Sequence, residues 1–347
     1  MVGSGTIAEP IAEPATAASA ERPVAAARAP GRVWIGAPKP LGRQKRIVLA
    51  FASFLLPLLL WAVVSYVPFV WHPLVEISDP GAVEYLDKGM RLDRATFDTE
   101  VANASRNGTA PPRGTPANPV YLPAPHEVAL ALWNGLVHPP TEGEAIRMPS
   151  SLWHSIQVIF WGFLVSSLIG VPLGILCGAS PFIARLFEPF IEFVRYMPAP
   201  AFGALMVAIL GIYDGPKIAI IVIGTFFQQV LVIANTVRRA DGLLIEAALT
   251  LGARNLGLIR RVIVPAVLPQ IYRDQRILLG WAWTYLIVAE LIGTSSGITF
   301  FITQQARYQH FDNVYAGILV IGFVGIATDI VLALLGRRLF PWSKEDA

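Results

Sequence analysis

Three ionisable side chains stand inside or beside apolar runs long enough to cross a membrane. Arg195 precedes such a run, Glu290 lies near the end of another, and Asp329 lies within a third. An unpaired charge at the bilayer centre costs on the order of 2.5–3.5 kcal/mol, so such groups usually face a bundle interior or a cavity. Arg195 can therefore attract an anion, or it can pair with Glu192 one helical turn earlier.

Two prolines follow Arg195 and interrupt the segment 185–213, which is charged in its first half and uncharged in its second. Broken helices at membrane depth can direct backbone N–H groups toward an anion, whereas a plain kink needs no function. Both interpretations stay open. The candidate residues for a path across the membrane are Arg195, Pro198, Pro200 and Glu290.

A different chemistry is indicated by "EAALTLGARNLGLIRRVIVP" (246–265), which is too charged to span a membrane. Asp241 can cap a helix that runs to Leu251, because its carboxylate can accept first-turn N–H groups. Gly252 can then end that helix in the left-handed conformation. The residues that follow supply a second helix and the start of the next segment: Arg260, Arg261 and Pro265. The pattern predicts a hairpin over 241–265 that fits a groove on another protein.

The composition predicts a membrane protein. Hydrophobic residues make up 54% of the chain and charged residues 15%, against about 25% charged in soluble domains. The net charge of +3 is too small to indicate a nucleic-acid-binding protein. Cys177 is the single cysteine, so one chain can form no disulfide. The histidines show no metal-ligand spacing and no catalytic motif is present, so we expect neither an enzyme nor a cofactor.

The elements that must position these residues are six predicted spans in an all-α membrane protein. A disordered tail (1–46) precedes them, a polar region (71–150) follows the first, and a core (151–340) holds the other five. Within the polar region, 107–119 has loop composition and 124–136 has helical periodicity. The predicted spans are 47–70, 155–178, 185–213, 218–237, 277–293 and 314–336. In the second of them, Gly170, Gly174 and Gly178 form a stripe for close helix packing or for a ligand.

Lysine and arginine in the short loops predict the orientation. They cluster before the first span, within 238–276 and after the last span. Six spans place all three clusters on one side, so the positive-inside rule makes both termini and the hairpin cytoplasmic. The region 72–150 then lies outside.

The 246–265 stretch resembles the EAA loop of ABC importer permeases. The matching pattern is Glu246-Ala247-Ala248, three residues, Gly252, nine residues, then Val262-x-Val264-Pro265. The family has Ile and Leu where this chain has the two valines. "LPAPHEVALALW" (122–133), "VRYMPAPA" (194–201) and "VAELIGTSSG" (288–297) are similar to the nitrate/sulfonate/taurine/bicarbonate group. The likeness covers about 120–340 and leaves out the tail.

The resemblance implies a type I importer fold in a bacterial inner membrane. Two copies of the chain would form the path, two separate ATPase subunits would drive it, and a periplasmic binding protein would deliver a small anion. The chain lacks the G-x-x-x-x-G-K-[ST] phosphate loop, which agrees with a separate ATPase. The residues implied in coupling are Glu246, Ala247, Ala248, Gly252, Arg254 and Pro265. An ion-coupled transporter or channel that works alone, and a membrane scaffold, are the alternatives.

Overall fold

The computed structural model of the chain describes residues 42–67, 72–138, 147–292 and 296–343. The chain divides into two compact units, 1–54 and 55–347. Of the first unit, residues 42–54 are described, and they form the N-terminal part of one helix with exposed apolar side chains. Most of the predicted tail, and the predicted end of the first span at Val70, lie outside the described residues.

The chain is predominantly helical, as predicted. The elements, in chain order, are α1 (Arg43–Tyr66), β1 (Leu74–Asp79), β2 (Arg91–Asp93), α2 (Arg94–Arg106), β3 (Arg113–Ala117), α3 (Pro125–Val137), α4 (Met148–Ala179), α5 (Pro181–Arg195), α6 (Gly203–Leu210), α7 (Asp214–Arg238), α8 (Gly242–Thr250), α9 (Asn255–Leu258), α10 (Val264–Ile292), α11 (Ile298–Arg307) and α12 (Phe311–Leu339).

Four helices among the described residues are long and apolar enough to cross a membrane, namely α1, α4, α7 and α12. The pair α5 and α6 adds a fifth candidate if it is counted as one broken span. The predicted span at 277–293 coincides, as far as Ile292, with the second half of α10, which is not among these candidates; Gly293 lies outside the described residues. The uncharged stretch of this half lies between Arg276 and Glu290, and it is shorter than the roughly 20 residues that a helix needs to cross a bilayer. The count of six spans therefore stays a prediction.

The helix break predicted in 185–213 is present. α5 ends at Arg195, a single 3₁₀ turn covers Ala199–Phe202, and α6 continues at 88° to α5. Pro198 has an extended ψ of 117° and Pro200 lies in the 3₁₀ turn. Since a proline disfavours the helical conformation in the residue before it, the sequence Pro-Ala-Pro stops α5 and lets the chain turn.

The glycine stripe of α4 packs against α7. A Cβ at Gly174 would lie 2.8 Å from Ile233 Cβ, and one at Gly178 would lie 2.5 Å from Val237 Cβ. Any larger residue would push the helices apart, so the stripe serves close packing in this structure. The core of the bundle lies where α4, α7 and α10 meet.

The region outside the predicted core contains a small sheet that sequence analysis missed. β1 pairs antiparallel with both β2 and β3 in the order β2-β1-β3. Val75 and Ile77 are buried on β1, as expected for alternation in a half-buried strand. β3 lies within 107–119, whose glycines and prolines are typical of a loop; it is an edge strand, where proline is tolerated.

The orientation leads to a labelling prediction. Asn107 is the C-cap of α2 and Leu256 is 70% exposed on α9, whereas Cys177 is buried. In a Cys177→Ala background, we expect Asn107→Cys to react with an impermeant thiol reagent in intact cells and Leu256→Cys to react only after the membrane is opened. The reverse pattern would overturn the predicted orientation.

Candidate functional site

The first candidate site is the segment from Asp241 to Pro265. Asp241 caps α8 as predicted, since its carboxylate accepts the Leu243 N–H at 2.9 Å. Gly252 follows α8 with φ of 88°, in the left-handed region. Its N–H donates to Leu249 O at 3.0 Å, and the Ala253 N–H donates to Ala248 O at 2.9 Å. These two bonds form a Schellman motif, which requires a left-handed residue at the position of the glycine.

The second half of this segment differs from the prediction. α9 is a single turn that starts at Asn255, whose φ is 50°. A π-helical turn, Ile259–Ile263, then joins α9 to α10 without a break, so Pro265 lies inside a continuous helix. Proline lacks an N–H and its ring clashes with the carbonyl four residues earlier, here that of Arg261. Widening the helix just before Pro265 relieves that clash.

One side of the segment is packed and the other is open. Ala248 and Ile263 are buried, and Ile263 packs with Val237 of α7 and Val267 of α10. Five large apolar side chains are instead exposed to solvent: Leu243, Leu244, Leu249, Leu251 and Leu256. Glu246, Ala247 and Arg254 are also exposed. A segment that is packed on one side and exposes leucines on the other is typical of a protein-binding surface.

The second candidate site lies where the N-termini of α7 and α11 meet α4. Lys217 is fully buried, and its Nζ donates to Asp214 Oδ1 at 3.1 Å and to Ser296 Oγ at 2.6 Å. His154 Nε2 lies 2.9 Å from the same Asp214 oxygen. Sequence analysis missed this cluster. Lys217 stands directly before a predicted span, where a lysine usually lies at the membrane surface.

Glu290 lies beside this cluster and is 2% exposed. Its carboxylate accepts a short hydrogen bond from Ser155 Oγ and one of 2.8 Å from the Thr299 N–H. Ser155 Oγ also accepts the Ile298 N–H at 2.8 Å. Glu290 therefore caps the N-terminus of α11, where the helix dipole favours a negative charge.

A further group of buried polar side chains lies between α4, α7 and α10. Gln229 is fully buried and bonds Ser166 at 2.7 Å, Ser167 at 2.9 Å and Gln275 at 3.0 Å. Thr225 donates to Ser166 at 2.9 Å. Such bonds between helices hold a bundle together in lipid, where water offers no substitute.

The remaining predicted ionisable groups have partners. Arg195 lies 3.5 Å from Gln228 Oε1 and 3.2 Å from the Tyr196 hydroxyl, and its guanidinium lies over the Tyr196 ring. Of the two alternatives for Arg195, the ion pair with Glu192 is not found among the described residues. Asp329 forms a two-bond ion pair with Arg276, at 3.1 and 3.0 Å, which joins α12 to α10.

The apolar helices and the buried polar layers between them define a helical integral membrane protein. The chain belongs to the family described as "Binding-protein-dependent transport system inner membrane component", which matches residues 170–341. It is thus a permease subunit of the ABC importer type.

The chain is similar to several permease proteins named for ABC transport, for taurine and for aliphatic sulfonates. A probable ABC transporter permease protein of Brucella abortus is 32% identical over 57% of this chain and 80% of its own length. The taurine transport system permease protein of Escherichia coli is 32% identical over 66% of this chain and 82% of its own length. A putative aliphatic sulfonates transport permease protein of Bacillus subtilis is 35% identical over 53% and 67% respectively. The structure described as "Inward facing conformations of the MetNI methionine ABC transporter" aligns with a TM-score of 0.48 at 18% identity, over 56% of this chain and 94% of its own.

Proposed function

We propose that this chain forms the translocation path of an ATP-driven importer for a small anion of the nitrate, sulfonate, taurine or bicarbonate class. A periplasmic binding protein delivers the anion, and two copies of the chain enclose the path. The family and the names of the taurine and sulfonate relatives support this proposal.

The segment 241–265 acts as the coupling hairpin in this proposal. The observation that carries this role is the Schellman turn at Gly252, which holds exposed leucines on a packed base. When the segment enters a cleft, the apolar surface of these leucines is removed from solvent. This burial favours docking on a separate ATPase. The residues assigned to coupling are Glu246, Ala247, Ala248, Gly252, Arg254 and Pro265.

The path itself is assigned to the break between α5 and α6 and to the groups near it. Arg195, Pro198 and Pro200 lie at the break, and the side chain of Arg195 is exposed, so that an anion can reach it. Glu290 belongs to the wall of the path as the cap of α11 rather than as a direct ligand. Both termini lie in the cytoplasm in this arrangement.

The test is co-purification of the chain with its ATPase from native membranes. We expect about one ATPase subunit per chain, and no ATP hydrolysis by the chain alone, because its sequence lacks a phosphate loop. Full transport activity without an associated ATPase would contradict the proposal.

A further inference from the structure

The helix α3 is held at both of its ends against one end of the helical bundle. Near its start, the Tyr66 hydroxyl lies 2.7 Å from His126 Nδ1, and Tyr66 is the last residue of α1. Near its end, a Cβ on Gly135 would lie 3.0 Å from the side chain of Met148, the first residue of α4. Since both ends of α3 lie beside the ends of spanning helices, α3 runs along one face of the bundle and does not cross it.

This face of the bundle carries the aromatic residues that are typical of a membrane–water interface. Tyr66 ends α1, Trp153 lies in the first two turns of α4, and Tyr213 is the N-cap of α7. All three side chains are exposed. Trp and Tyr concentrate at the headgroup level, because their rings are apolar and carry one polar group. The helix α3 therefore lies at the level of the interface, which is the outer one in the predicted orientation.

The side chains of α3 form three faces. Val128 and Ala131 are buried and pack into the core of the bundle. Glu127, Asn134 and His138 follow the spacing i, i+7 and i+11, so they form a polar stripe along one side. On the remaining side, four large apolar side chains are exposed: Leu130, Trp133, Leu136 and Val137.

Lipid is the partner that this apolar side fits. The helix α3 packs against α12, a spanning helix that exposes Ile318 and Leu319 two turns from its start. Both helices thus present apolar surface on the outside of the bundle, where a bilayer covers it. Because α3 contains no lysine or arginine, its attachment depends on burial of apolar surface and not on the charge of the headgroups.

We infer that α3 is an interfacial helix that binds phospholipid, with Leu130, Trp133 and Val137 among the acyl chains and the polar stripe toward headgroups and water. Such helices bury their apolar side about 5–10 Å into the boundary between headgroups and acyl chains. This contact anchors the segment between α1 and α4 to the membrane surface. The inference depends neither on the transported anion nor on the ATPase.

The test measures whether lipid or water surrounds each side of α3. Single cysteines in a Cys177→Ala background carry a nitroxide label in the purified permease–ATPase complex, in nanodiscs of phosphatidylcholine. Collisions with oxygen, which partitions into lipid, are compared with collisions with a water-soluble nickel chelate. We expect the ratio of oxygen to nickel collisions to be several-fold higher at Trp133→Cys and Val137→Cys than at Asn134→Cys.

Two further labels give the limits of this scale. Leu56→Cys, exposed in the middle of α1, gives the lipid value, and Asn107→Cys, the C-cap of α2, gives the water value. A water value at both Trp133→Cys and Val137→Cys would overturn the inference. If neither reagent reached these two labels, a protein would cover this side of α3, and that result would overturn the inference as well.

A pair of acidic substitutions gives a second readout. Leu130 and Asn134 are both exposed on α3, so neither substitution disturbs the core. Leu130→Asp places a charge among acyl chains, and we expect it to lower the unfolding temperature of the complex in nanodiscs. Asn134→Asp places the same charge in water and should leave that temperature unchanged. Equal unfolding temperatures of the two variants would contradict the inference.

Discussion

Replacing Gly252 with valine is expected to leave the chain in the membrane and to release its ATPase. Gly252 has φ of 88°, and a residue with a Cβ there is strained by about 1–2 kcal/mol. That strain reduces the fraction of correctly formed turns about 5–30-fold, and a β-branched residue tolerates the left-handed region worst. If the backbone relaxes instead, the turn loses its bonds to Leu249 and Ala248. The helices on either side of the turn, and the leucines exposed on them, then lose their fixed relative positions.

The destabilisation caused by a side chain at position 252 comes from the backbone conformation and not from steric contact with neighbouring atoms. A Cβ at this position meets no atom within 4 Å, so a larger side chain there has room. Gly252→Asn should therefore be much milder than Gly252→Val, because asparagine visits the left-handed region more readily. Gly257→Ala is the matched control, since Gly257 is equally open but has no positive φ.

The measurement is the amount of ATPase retained per permease in detergent, with membrane levels of each variant determined in parallel. We expect wild-type retention for Gly257→Ala, partial retention for Gly252→Asn and loss of most ATPase for Gly252→Val. Full retention and full uptake with Gly252→Val would remove this segment from the coupling mechanism.

Gly297→Ala is expected to produce the largest loss of stability. Gly297 has φ of 103°, and a Cβ there would collide with the Glu290 carboxylate. The carboxylate cannot move away without losing its bonds to Ser155 and Thr299. Backbone strain and a lost charged hydrogen bond together amount to about 3–5 kcal/mol. Thermal unfolding of the solubilised chain measures this loss.

A double-mutant cycle separates the collision from the strain. In a Glu290→Ala background the colliding carboxylate is absent, so Gly297→Ala should cost only the backbone strain of about 1–2 kcal/mol. Gly280→Ala, in the middle of α10 with no atom within 4 Å, is the control and should be nearly neutral. Equal costs of Gly297→Ala in both backgrounds would show that Glu290 does not occupy the place described.

The features that the sequence predicts well are local. The cap at Asp241, the left-handed Gly252 and the break near Pro198 each depend on the backbone preference of one or two residues. Their neighbours along the chain supply the interacting groups, so a reading of the sequence alone finds them. The positions of α4, α7 and α12, although not their first residues, follow in the same way from long apolar runs.

The features that were missed depend on residues far apart in the chain. Lys217 bonds Ser296, 79 positions later, and Glu290 bonds Ser155, 135 positions earlier. No local pattern marks such pairs, because a lysine before a span and a serine within one are both common. β3 was missed for a related reason, since its glycine and proline favour a loop and only its pairing with β1 makes it a strand.

The most direct test of the central claim is uptake by proteoliposomes that contain the purified chain with or without its ATPase and binding protein. The account predicts uptake of the delivered anion only when chain, ATPase, binding protein and ATP are all present, and loss of that uptake with Gly252→Val. Uptake by the chain alone, driven by an ion gradient, would contradict it and would establish the ion-coupled transporter instead.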